Sequence, residues 1–302
     1  LDAVIIGVER GRLLQPGPFV GSNVVAWALA SDDTGDWTTV IESIVEGRQA
    51  ATWACGCDSG VHQGEGQVEL RVEDNVKRLY GRVTMVQDAE TADWILVTFQ
   101  SGQGLRQVVL SRETDGLTIE SLDGLDITRR FATVTFAGVQ LMDLDFVEPG
   151  RPVTSLFERQ SSVATVLSLA ETVGAMDQDF SLAVEYARVR IAFGRPIGSF
   201  QSVKHALADT SLNLEISKAL LSAAANAVQD DADDQHAVVA VAKSFVNEAS
   251  VGLSHTCFQV FGGIGFTWEH DHHLYYRRLA VDAQLYGSAE SHRESLCVMN
   301  GL

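Results

Sequence analysis

What most constrains this chain is a change of hydrophobic period near residue 150. From Arg48 to about Asp145, apolar and polar residues alternate, with Val, Thr, Leu and aromatics prominent. After Glu148-Pro149-Gly150, apolar residues instead step by three or four: Val166, Leu169, Val173, Met176, Phe180, Ala183 and Ala187. A period of two puts one face of a strand on a core, whereas a period near 3.6 runs an apolar stripe along a helix. One chain therefore holds a strand-built part and a helix-built part.

The alternation places strands at Gln49–Cys55, Gln67–Val72, Leu79–Val86, Trp94–Gln100, Leu105–Ser111, Leu117–Ser121 and Ala132–Phe136, separated by Gly, Asp and Asn clusters suited to turns. Many short strands without intervening helices indicate an antiparallel sandwich or barrel. Ahead of them, helices are expected over Leu1–Leu14, Phe19–Ala30 and Trp37–Val45, the first stopped by Pro16 and Pro18. Beyond the long helix through Val166, Leu207, Leu214, Leu221 and Val228 recur by sevens. A further helix spans Gln235–Phe261, with shorter ones at His272–Leu279 and Ser288–Met299. The expected architecture is α+β and multi-domain. It comprises a short N-terminal helical cap (1–47), an antiparallel β-sandwich or barrel (48–150) and a C-terminal four-helix bundle (151–302).

Charge narrows the function classes. Lys and Arg number 22 against 40 Asp and Glu, a net charge of −18 over 302 residues. Such a surface repels nucleic-acid backbones and anionic lipid, so neither is an expected partner. No apolar run reaches the roughly 18–20 residues of a spanning helix. The opening Leu-Asp-Ala-Val-Ile-Ile-Gly has no basic n-region, so a cytoplasmic location is expected. Cys55, Cys57, Cys257 and Cys297 read as reduced, partly buried thiols, since Cys55 and Cys57 flank one residue, too close for an ordinary disulfide.

Two segments carry a family resemblance. Tyr186-Ala187-Arg188-Val189-Arg190-Ile191-Ala192-Phe193-Gly194-Arg195-Pro196, running on to Gln201, resembles the Arg-x-x-Phe-Gly…Gln segment of acyl-CoA dehydrogenases. Gln259-Val260-Phe261-Gly262-Gly263-Ile264-Gly265-Phe266 resembles their Gln-x-Phe-Gly-Gly-x-Gly-Phe segment, and it follows at the family's separation. The resemblance covers the C-terminal bundle strongly and the β region more loosely through Gly81–Val97, and it implies an N-terminal helical region shorter than usual. It also implies FAD as cofactor, bound across a subunit interface. Arg190 would meet the pyrophosphate, Phe193 would pack on the adenosine, and Gln201 and Gln259 would bond ribose or adenine edges. Gly262 and Gly263 would admit the dinucleotide to the backbone.

The family reaction also needs a carboxylate to take the α-proton of an acyl-CoA thioester while the flavin takes hydride from the β-carbon. Counting from the motifs places Tyr286 at one of the family's two base positions and Ala164 at the other. A phenol with a reference pKa of about 10 and a methyl group are no substitutes, so no catalytic residue is expected in this chain. Glu171 and Glu290 are the candidates for a relocated base; Asp282 reads as a local cap or pair. The flavin-ring contacts also depart from the family: Val86-Gln87-Asp88 stands where a Trp-Thr pair is usual, and Trp53-Ala54-Cys55-Gly56-Cys57-Asp58-Ser59-Gly60 replaces a Thr-Glu-Pro-Gly-x-Gly-Ser loop.

Together these features are similar to the base-lacking subunit of heteromeric α2β2 acyl-CoA dehydrogenases of actinobacterial steroid catabolism, as is Phe266-Thr267-Trp268-Glu269-His270-Asp271-His272-His273-Leu274-Tyr275. The implied partner is a homologous catalytic subunit that supplies the base, and the implied substrate is a bulky, possibly steroid-derived acyl-CoA. Two alternatives stay open: a self-sufficient homo-oligomeric dehydrogenase, or a flavin-free structural or regulatory subunit. His270, His272 and His273 read as solvated or interface histidines at a helix start, since adjacent residues face different sides. Arg277 and Arg278 read as interface ion-pair formers.

Overall fold

The computed structural model describes residues 1–32, 35–56, 66–148 and 152–301. Three helices, α1 (Asp2–Arg12), α2 (Phe19–Leu29) and α3 (Thr38–Val45), precede seven strands. These are β1 (Ala51–Gly56), β2 (Val68–Glu73), β3 (Val76–Gln87), β4 (Trp94–Ser101), β5 (Gly104–Ser111), β6 (Leu117–Leu122) and β7 (Phe131–Leu141). Then come α4 (Val153–Val189), a two-strand hairpin β8 (Ile191–Ala192) and β9 (Arg195–Pro196), α5 (Gln201–Gln229), α6 (Gln235–Phe261), α7 (His272–Asp282) and α8 (Ala289–Met299). The order is the one expected from the sequence: short helices, then strands, then long helices.

The chain divides into two compact units. One comprises Pro16–Gly124 and Arg129–Ala164; the other comprises Leu1–Gln15, Leu125–Thr128 and Thr165–Leu302. In the first, the strands form a sheet of three, ordered β1-β4-β5, and a sheet of four, ordered β2-β3-β7-β6. No barrel closes among the described residues. Pairing is antiparallel except between β1 and β4, which run parallel in register Ala51 to Trp94. The parallel pair arises because the chain leaves the first sheet for β2 and β3 before returning, a crossover that no hairpin could make.

Alternation along β4 shows why this segment folds as a strand. Ile95, Val97 and Phe99 join Leu79, Val83, Val108, Val134 and Phe136 in the core between the sheets. Leu96 points the other way, into a second cluster with Val25, Leu29, Ile44, Val109 and Leu156, which seats α2, α3 and the start of α4 on the three-stranded sheet. That second layer also carries a buried polar chain. Trp53 Nε1 donates to Thr98 Oγ1 at 2.8 Å, and Gln107 Nε2 donates to Thr98 Oγ1 at 2.9 Å and to Gln160 Oε1 at 2.6 Å.

The second unit is helical. Its core faces come from α4, α5 and α6, with Leu169, Val173 and Met176 of α4 alongside Leu214, Leu221, Val246 and Leu253, all buried. The helix α1 belongs to this unit, whereas α2 and α3 belong with the strands. Its contact with α4 is made by glycines. A Cβ at Gly11 would collide with the Glu171 carbonyl, and one at Gly174 with the Val8 carbonyl. Arg10 Nε lies 3.2 Å from Glu171 Oε1, Arg12 pairs with Asp177, and Tyr275 Oη donates to Arg12 O at 2.6 Å. No described helix is long and apolar enough to cross a membrane.

Candidate functional site

At the end of α4, Arg190 N still donates to Tyr186 O at 2.9 Å, and Ile197 N then donates to Arg190 O at 2.8 Å, closing the β8–β9 hairpin. The two residues between the paired Ala192 and Arg195 are Phe193, at φ 52°, and Gly194, at φ 80°. Positive φ at both central positions is the turn that suits a two-residue hairpin, and glycine adopts it freely. A phenylalanine does not. The residue is nevertheless 95% exposed at the tip, so neither backbone preference nor burial explains it. Gln201 follows as the first residue of α5.

The second segment sits at the end of α6. Gly262 terminates the helix at φ 65° and ψ −144°, a conformation reserved for glycine, and opens a 3₁₀ turn over Gly262–Phe266. The Tyr186 ring lies 5.4 Å from that of Phe261 and 6.4 Å from that of His270, so the ends of α4 and α6 meet. Both motifs therefore emerge at one end of the helical unit. There Arg190, Phe193, Gln201, Gln259 and Gly263 are exposed and Gly262 is half-buried.

This end is locally basic in an acidic chain. Arg188, Arg190 and Arg195 fall within eight residues, and among the described residues none has a carboxylate partner. Arg195 instead covers the Phe200 ring at 4.1 Å. Around them stand exposed apolar side chains: Ile191, Ile264, Phe266 and Trp268. Cations without counter-charges beside apolar rings suit an anionic ligand with a planar group.

Beneath the glycine turn lies a buried pair that the sequence did not reveal. His272 Nδ1 is 2.7 Å from Asp179 Oδ1, and both side chains are fully buried. Burial pushes the Asp179 carboxyl up, opposed by its bond to His272. Cys257 packs beside it, and burial followed by the Asp179 charge pushes that thiol up. His272 and His273 are thus buried rather than solvated, His272 under Phe258 and Phe261 and His273 against Trp268. The available signal was Asp179 itself, set between Met176 and Ala183 on the apolar stripe of α4. Arg278 likewise is no interface residue: it is buried and bonds Asp126 Oδ2 at 2.7 Å. Arg277 lies over the Trp268 ring at 5.4 Å. Among the described residues no group of three or more His, Cys, Asp or Glu could hold a metal.

The two positions that carry the base in the family both lie among the described residues. Tyr286 is half-buried at φ 56° in the loop before α8. His292 Nε2 donates to Tyr286 O at 2.8 Å, and Asn247 Nδ2 donates to Ala283 O at 2.9 Å and to Gly287 O at 3.1 Å. Lys243 Nζ donates to Asp282 O at 2.9 Å. Asp282 itself is fully buried and accepts from Thr172 Oγ1 at 3.3 Å, so it pairs across helices rather than capping locally. Ala164 is buried within α4. Glu171 is buried against Arg10 in the α1–α4 contact, and Glu290 is exposed in the first turn of α8.

In the strand unit, Val86 is core and Asp88 is buried at φ 55°, with Asp88 N donating to Arg130 O at 2.9 Å. Cys55 is a buried free thiol and Cys297 an exposed one; Cys57, Asp58, Ser59 and Gly60 lie outside the described residues.

The fold and its two motif segments are those of one class of dehydrogenase, and comparison places the chain within it. Residues 162–297 match the model of the acyl-CoA dehydrogenase C-terminal domain. The acyl-CoA dehydrogenase IpdE2 of Mycobacterium tuberculosis is 30% identical over 295 residues, covering 98% of this chain and 75% of that protein. This protein belongs to the acyl-CoA dehydrogenase family. FadE34 of the same organism is 43% identical over 274 residues, which make up 89% of this chain but only 34% of that longer one. Among solved structures, the ChsE4–ChsE5 complex of Mycobacterium tuberculosis matches with a TM-score of 0.89 at 25% identity, covering 99% of this chain and 80% of that one. The Tcur3481–Tcur3483 steroid ACAD shares the fold, with a TM-score of 0.86 at 23% identity over 99% of this chain and 80% of that one.

Proposed function

We propose that this protein is the base-lacking subunit of a heteromeric, FAD-dependent acyl-CoA dehydrogenase acting on a bulky, steroid-derived acyl-CoA. The observation that carries the proposal is the cluster of exposed arginines, without a carboxylate partner among the described residues, around a strained, exposed Phe193 in a chain of net charge −18. The residues present fit a dinucleotide. Arg190 would hold a pyrophosphate oxygen, Phe193 would cover the adenosine, and Gln201 and Gln259 would bond its polar edges. Gly262 and Gly263 offer backbone unobstructed by a Cβ, since nothing lies within 4 Å of where either Cβ would stand.

When bound, FAD supplies the hydride acceptor of an α,β-dehydrogenation. The proton acceptor has to come from elsewhere. Tyr286 is a phenol, Ala164 is a methyl group, and Glu171 is committed to Arg10. The exposed rim of Ile191, Phe193, Ile264, Phe266 and Trp268 suits an interface with a homologous dehydrogenase subunit that brings the carboxylate. That the ChsE4–ChsE5 match is a complex of two proteins supports this assembly.

Arg190→Ala in the assembly co-purified with a base-bearing homologous subunit tests the proposal. FAD content per subunit is expected to fall while the two chains still co-purify. Unchanged FAD content would contradict the role given to this end of the helical unit.

A further inference from the structure

Asp179 and His272 form an ionisable pair where packing alone would call for apolar residues. Both are fully buried beside the Cys257 thiol, and among the described residues Asp179 Oδ2 and His272 Nε2 have no hydrogen-bond partner. Such a pair adds little stability over well-packed apolar side chains of the same volume, because desolvation offsets the attraction. What it can supply is position.

Its surroundings show what is positioned. Asp179 lies on α4, seven residues before Tyr186, the residue whose ring joins the ends of α4 and α6. His272 is the first residue of α7, and its backbone N–H donates to His270 Nδ1 at 3.1 Å, folding the preceding turn over the pair. The imidazole stacks on Phe258, with 6.1 Å between centroids, and lies 5.0 Å from Phe261. Its Cδ2 edge meets the glycine turn directly: a Cβ on Gly265 would stand 3.1 Å from that atom.

We propose that the Asp179–His272 hydrogen bond is a positioning element for the Gly262–Phe266 turn, fixing the height of that turn against a bound dinucleotide. The proposal rests on the flavin contact proposed above. By holding the imidazole at one distance from α4, the bond sets the floor on which Gly265 rests, and with it the direction of the Gly262 and Gly263 amides. A displacement of an ångström in such a platform is enough to weaken a ligand held by backbone groups.

The test is FAD affinity of the co-purified assembly, read by equilibrium titration of the flavin-stripped protein, together with its melting temperature. Replacing the pair by apolar residues, Asp179→Leu with His272→Phe, is expected to leave melting unchanged or raised while FAD binds about tenfold more weakly. His272→Asn, whose amide nitrogen stands where Nδ1 stood, is expected to keep affinity within about threefold of the wild type. Affinity unchanged in the double variant would overturn the proposal, as would a loss in His272→Asn as large as in the double variant. Should the double variant not fold, His272→Asn carries the test alone, retention supporting the bond and a tenfold loss overturning it. Arg190→Ala runs in parallel. If it leaves affinity unchanged, the flavin contact itself has failed; if it alone loses affinity, the contact stands and the positioning role falls.

Discussion

Arg278 Nε lies 2.7 Å from Asp126 Oδ2, with each side chain 1% exposed. Asp126 belongs to the Leu125–Thr128 segment between β6 and β7, and Thr128 adds a carbonyl and a hydroxyl to the same guanidinium. The segment is thereby part of the helical unit although its flanking strands are not. Arg278→Met would take the buried guanidinium away from the Asp126 carboxylate, which would keep its bonds from Thr128 N and Oγ1. Unfolding in urea should show a loss of about 3–5 kcal/mol, and a loss under 1 kcal/mol would show the pair to be dispensable.

Gly174 and Gly11 let α1 and α4 touch backbone to backbone. A methyl group at Gly174 must push the Val8 carbonyl away, and neither partner is a flexible side chain. Gly174→Ala should therefore cost about 1–3 kcal/mol. Amides of α1 should exchange with solvent faster, while those of α6 keep their protection. Equal acceleration throughout would indicate general destabilisation instead.

Phe193 holds positive φ at the hairpin tip and is exposed. Asparagine tolerates that conformation better, so Phe193→Asn should raise stability by about 1 kcal/mol. The same change should lower the FAD content of the assembly. A variant both less stable and fully flavin-loaded would contradict the functional explanation of the strain.

His292 is buried, and burial lowers its pKa despite the bond to Tyr286 O. The unfolded chain therefore takes the proton first, below its reference value of about 6.5. The stability this residue contributes is complete above that value and is lost as pH falls below it. Melting temperature should drop between about pH 7 and pH 5, and His292→Gln, which retains a donor for Tyr286 O, should flatten that slope. His270 and His273 are shifted in the same direction by burial and keep part of it.

Periodicity carried most of the fold. Alternation through Ile95, Val97 and Phe99 and the three-to-four stepping from Val166 to Ala187 are direct images of one-sided burial, so the elements were legible, although β3 starts three residues earlier, β7 runs five further and α7 three further than expected. The parallel β1–β4 pair was not, because strand direction depends on which sheet the chain visits in between. Placement of α1 apart from α2 and α3 rests on Gly11 and Gly174, whose contacts are far apart in sequence. At the candidate site, the resemblance of two segments to the family's motifs pointed to Arg190, Phe193, Gln201, Gln259, Gly262 and Gly263. The Asp179–His272 and Asp126–Arg278 pairs escaped because a buried charge has no local pattern; its partner lies 93 and 152 residues away, respectively.

The central claim is a division of labour, with dinucleotide contacts in this chain and the proton-abstracting carboxylate in another. Its most direct test is the bound flavin and acyl-CoA-dependent dye reduction of the chain purified alone, set beside the assembly with a base-bearing homologous subunit. The account predicts neither flavin nor turnover from the lone chain and both from the assembly. A lone chain that holds FAD and oxidises acyl-CoA would contradict it.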